Sequence, residues 1–66
     1  LLKNEFPINT LSEYFIKQIG KMIVLELVDD YPMHFKLIKV NHDYIEGYND
    51  TGDYQRIEMK NIAYFA

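Results

Sequence analysis

KMIVLELVDDYPMHFKLIKVNHDYIEGY, Lys21 to Tyr48, reads as a strand, an acidic turn, and a longer strand that returns, bends and runs on. Successive strand side chains point to opposite faces. In Met22–Val28, Ile23, Leu25 and Leu27 therefore share one face, and Met22, Val24, Glu26 and Val28 share the other. Only Glu26 is plainly polar, so both faces are expected to be partly covered. Asp29-Asp30-Tyr31-Pro32 ends the run, because a proline cannot donate to a ladder and the carboxylates favour a turn. The return strand, residues 33–41, slips phase: Phe35 and Leu37 lie on one face, Ile38 and Val40 on the other. A bulge or sharp bend would set all four against one core. Asn41-His42-Asp43 is polar and turn-prone, and Tyr44 to Tyr48 reads as a third strand.

Outward from this stretch, Leu1 to Asn9 reads as irregular, with Pro7 pressing Phe6 toward extended geometry. A helix follows over residues 10–19. Leu11, Tyr14, Phe15 and Ile19 form its apolar stripe, while Ser12, Glu13, Lys17 and Gln18 face away. Thr10 with Glu13 fits a capping box, and Asn9 is the competing cap. Gly20 suits the left-handed position that ends a helix. On the other side, Asn49 to Asp53 reads as a loop. The last segment slips phase again. Strands over residues 54–59 and 63–65, joined by a tight turn at Lys60-Asn61, reconcile it. The fold class expected is mainly β: a short N-terminal helix, then a five-stranded, strongly bent antiparallel barrel, in one domain spanning residues 1–66.

Composition narrows the function. A chain of 66 residues buries only ~60% of the surface it exposes when unfolded, and commonly leans on a staple or a partner. There is no cysteine, so disulfides and thiolate metal sites are excluded, and a cytoplasmic location fits. Hydrophobic residues make up 48% and aromatics 15%, which is too apolar for a disordered tail and favours oligomerisation. The net charge of −3 is the wrong sign for a general nucleic-acid binder, so any such contact has to be local. No apolar run approaches the ~20 residues of a membrane span, and LLKN lacks the basic front of a signal peptide.

Catalysis has no candidate. Ser12 is the sole serine, and no Gly-rich phosphate loop is present. His34, His42, Asp29, Asp30 and Asp43 lack metal-ligand spacing, and neither a metal nor another cofactor is expected. Asn49–Asp53 fails as a calcium loop, because the position that requires an acid is Lys60.

Helix, three bent strands, loop, strand, one-turn break and final strand together resemble the Sm-like fold of Sm, LSm and bacterial Hfq-type proteins, over Thr10 to Phe65. Val24-x-x-Leu27 followed by Phe35-x-Leu37-x-x-Val40-Asn41 resembles its first motif, and Lys60-Asn61-Ile62 its second. Phe35 stands where the family usually has a glycine. The family's turn aspartate falls on Asn41 in one register and on Asp43 in another. Met59-Lys60-Asn61 replaces an Arg-Gly or Lys-His pattern. Other small barrels, of the SH3-like and tudor types, can imitate this pattern.

The resemblance implies a homo-oligomeric ring in which the fourth strand of one subunit pairs with the fifth of the next. Tyr54, Ile57, Tyr64 and Phe65 would lie near that seam. It also implies single-stranded RNA held by Asn41, His42, Asp43, Tyr44, Lys60 and Asn61, in a non-catalytic chaperone or scaffold. Asparagines read base edges, His42 or Tyr44 stacks, and Lys60 meets phosphate or base. The alternative is a ring-forming protein-interaction or structural module without RNA. The same residues also carry plainer readings: a polar turn at Asn41-His42-Asp43, a core or interface aromatic at Tyr44, and a simple turn at Lys60-Asn61.

Overall fold

The apolar alternation is realised as an open antiparallel sheet packed with one helix. The computed structural model describes residues 1–66. In chain order these form β1 (Leu2–Lys3), α1 (Ile8–Ile16), β2 (Met22–Leu27), β3 (Pro32–Val40), β4 (Tyr44–Tyr48), β5 (Tyr54–Glu58), a 3-10 turn (Met59–Asn61) and β6 (Ile62–Phe65). The sheet runs β1-β6-β2-β3-β4-β5.

The central hairpin pairs Ile23 with Phe35 and Leu25 with Met33, and its turn places Asp29 at φ 60, a left-handed conformation that aspartate tolerates. The expected bulge lies between Leu37 and Lys39. It does not bring all four apolar residues inward. Phe35 and Leu37 are fully buried and Val40 packs against the core, but Ile38 is exposed. The extra residue of a bulge is the one left out of the ladder, and Ile38 takes that place. Leu11, Phe15, Ile23, Leu25, Phe35, Leu37, Ile45, Ile57, Met59, Ile62 and Phe65 form the core. In β6 the buried residues are Ile62 and Phe65, three apart, because the pairing with β2 shifts between Glu26 and Leu27.

Several expectations are corrected. The sheet has six strands rather than five, and it stays open: β1 and β5 are outer strands that do not pair with each other. The additional strand is Leu2–Lys3, in the stretch expected to be irregular. It is held by backbone bonds, which no side-chain period announces. Asn4 N–H donates to the Ala63 carbonyl (2.8 Å).

The helix starts earlier and ends earlier than residues 10–19. Pro7 precedes it and accepts from Leu11 N–H (3.0 Å), so Asn9 and Thr10 lie inside α1 and no side chain caps it. Proline's fixed φ already suits a helix start. Beyond Ile16 the bonds tighten to Gln18 N–H on Phe15 and Ile19 N–H on Ile16. Gly20 then turns the chain at φ 88, and Ile19 is left exposed. Ser12, expected to face outward, is buried, and its hydroxyl has no hydrogen-bond partner.

Candidate functional site

The pairing of β4 with β5 brings two turns together. Asn41 N–H donates to the Tyr44 carbonyl (2.8 Å) and closes the β3–β4 turn, while Met59 N–H donates to the Asp43 carbonyl (2.9 Å). The 3-10 turn is thereby fastened to Asp43. A shallow groove of about 320 Å³ results, lined by Ile8, Asp43, Tyr44, Arg56, Glu58 and Lys60.

Of the residues expected at an RNA site, Asp43, Tyr44 and Lys60 share this groove. Asn41 and His42 do not. They line a separate depression with Ser12, Ile16 and Val40, against the helix. Asn61 lies toward the end of β2, where its carbonyl accepts from Val28 N–H (2.9 Å).

The charges in the groove are balanced. Arg56 Nε donates to Glu46 (3.0 Å), and its guanidinium lies 4.0 Å from the centre of the Tyr44 ring. Lys60 Nζ sits 3.4 Å from Glu58. Each cation therefore already faces a carboxylate. Elsewhere, His34 lies 3.7 Å from Asp50. No three potential metal ligands converge.

A second feature escaped the sequence reading. Tyr44, Glu46 and Tyr48 on β4 stand opposite Glu58, Arg56 and Tyr54 on β5. On this outer face the Tyr54 hydroxyl donates to Glu46 (2.9 Å), and the Tyr48 and Tyr54 rings meet edge to face at 5.1 Å. The Tyr54 hydroxyl, helped by Arg56, holds the Glu46 carboxyl below its usual range, against the opposing effect of burial. The same bond to Glu46 pushes the Tyr54 phenol up. The alternating pattern Tyr44-x-Glu46-x-Tyr48 and Tyr54-x-Arg56-x-Glu58 was visible, but its pairing depends on the loop. There, the Asn49 side-chain oxygen accepts from the N–H of Thr51 (3.1 Å) and of Asp53 (2.9 Å) and sets the register.

The residues expected at a subunit seam divide. Ile57 and Phe65 are buried in the chain's own core, while Tyr54 is half-exposed and Tyr64 partly exposed. What β5 does present is backbone. The bonds Asn49 N–H to Asp53 (3.0 Å) and Met59 N–H to Asp43 (2.9 Å) fix the phase of the β4–β5 ladder. Alternate residues of β5 bond inward, and the N–H and C=O groups of Tyr54, Arg56 and Glu58 point outward along an open edge. No helix is long and apolar enough to cross a membrane. Comparison of the chain with family models, with curated proteins and with solved structures finds no match.

Proposed function

We propose that this protein is a non-catalytic, self-assembling module of the Sm-like type, joined copy to copy through its sheet edges, with protein as its main partner. The open edge of β5 carries the reading. Outward N–H and C=O groups at Tyr54, Arg56 and Glu58 are a template for another strand. The strand order supports it further: setting β1 aside, β6 and β5 are the outer strands, as the resemblance implies for the fifth and fourth. A head-to-tail contact between such edges repeats, and it closes into a ring when the rotation allows. The net charge of −3, and cations already engaged by Glu46 and Glu58, favour protein over nucleic acid. A cytosolic location belongs to the same proposal.

Single-stranded RNA is the second reading, and the groove favours it. Tyr44 offers a ring beside Arg56 and Lys60, a stacking surface next to positive charge. Light scattering with and without a short single-stranded RNA, at low and physiological salt, separates the two. An oligomer that ignores RNA supports the first reading. An oligomer that gains RNA mass, less so as salt rises, supports the second. A chain that stays monomeric at every concentration overturns the assembly.

A further inference from the structure

We propose that β1 is a plug: in the single chain it covers the outer edge of β6, the edge that the self-assembly reading pairs with β5 of another copy. This rests on the self-assembly reading and names its control.

The plug is built from little. Leu2 stands opposite Phe65 and Lys3 opposite Tyr64, and both β1 residues are exposed. Asn4 does most of the fastening. Its backbone N–H donates to Ala63 (2.8 Å), and its side-chain amide donates to Ile62 (2.7 Å) and Met59 (3.3 Å). The outer side of β1 is then blunted, because Glu5 N–H folds back onto the Lys3 carbonyl (2.9 Å) and the two side chains pair at 3.2 Å. A short, charged, turned-back strand of this kind does not template a further one.

Removing β1 leaves the carbonyls of Met59, Ile62 and Ala63 without these partners and bares the β6 edge. Backbone groups in such a place need a replacement. The chain offers one in β5, whose outward groups recur at every second residue, as those of β6 do. A sheet with one open and one plugged edge can pair at most once. With the plug displaced, the two different edges meet and the contact propagates.

The test is mass against concentration by sedimentation equilibrium on the full chain. Asn4→Ala removes the side-chain bonds, and should lower the concentration of half-association about tenfold while the amide at position 4 loses protection from exchange. Glu58 has φ −74, which proline can adopt, and its N–H faces outward. Adding Glu58→Pro should therefore abolish that gain. Lys3→Cys with Tyr64→Cys places thiols on directly opposed residues; the oxidised form should hold the plug and associate at least tenfold more weakly than the reduced form. Association that is equal in the oxidised and reduced forms overturns the plug but leaves self-assembly standing. A gain from Asn4→Ala that Glu58→Pro does not reverse overturns β5 as the occupant. Monomers in every form, with position 4 unprotected, overturn the self-assembly reading and the plug with it.

Discussion

Gly47 lies where β4 crosses β3, opposite Leu37. A Cβ there would fall on the Lys36 carbonyl oxygen and 2.7 Å from the Phe35 ring. The family resemblance expects small size early in the second strand, at Phe35. Here the bulk sits at Phe35, fully buried, and the space is left across the ladder at Gly47. Gly47→Ala is expected to destabilise the chain by about 1–3 kcal/mol, the usual cost of overpacking, read as a lower denaturant midpoint at unchanged slope. Ser12 is the opposite case. Its buried hydroxyl lacks a partner, and alanine is the better helix former. Ser12→Ala is expected to stabilise by about 1 kcal/mol, a rise in melting temperature of roughly 4–8 °C for a domain of this size. An unchanged or lower melting temperature would show that the hydroxyl is satisfied in solution.

Between elements, the β4–β5 face couples Glu46, Tyr54 and Arg56. Glu46 is held below its ordinary 4.5 by the Tyr54 hydroxyl first, so its contribution is present above that value and is lost as pH falls through the depressed folded value. Tyr54 is raised above 10.0, chiefly by Glu46, so its contribution is present below that value and is lost as pH rises through the raised one. Stability is thus expected to fall at both ends of the pH range. Glu46→Gln should move the Tyr54 phenol back toward 10.0, as followed by phenolate absorbance, and should flatten the acid limb. An unshifted phenol would mean that this bond does not persist in solution. The groove beside this face has its own outcome. If RNA binds there, Lys60→Ala lowers affinity without changing assembly, and Tyr44→Ala costs about 1–3 kcal/mol of stacking. Unchanged affinity in both variants removes the groove from the site.

At the scale of the molecule, two outer strands of unlike character face the solvent: one open, one short and folded back. Exposed apolar residues such as Leu2, Met22, Val28 and Tyr31 add to the surface that a 66-residue chain cannot cover by itself. Much of this architecture was legible in the sequence. Alternation in Met22–Val28, the phase slip around Ile38 and the turn at Lys60-Asn61 each follow from strand sterics over neighbouring residues, and the structure places a strand over Met22–Leu27, a bulge at Ile38 and a 3-10 turn over Met59–Asn61. The absence of cysteine and the acidic balance likewise follow from composition alone. The rest needed the tertiary structure, because it depends on partners remote in sequence. Asn4 becomes a clamp only through carbonyls 55 and 58 residues away. Gly47 matters only because the Lys36 carbonyl and the Phe35 ring of β3 leave no room for a side chain there. The expected RNA residues part company because the turn at Asn41 and the turn at Lys60 meet on one side only, at Asp43. Local pattern determines which segments become strands, whereas the register between strands determines which side chains become neighbours.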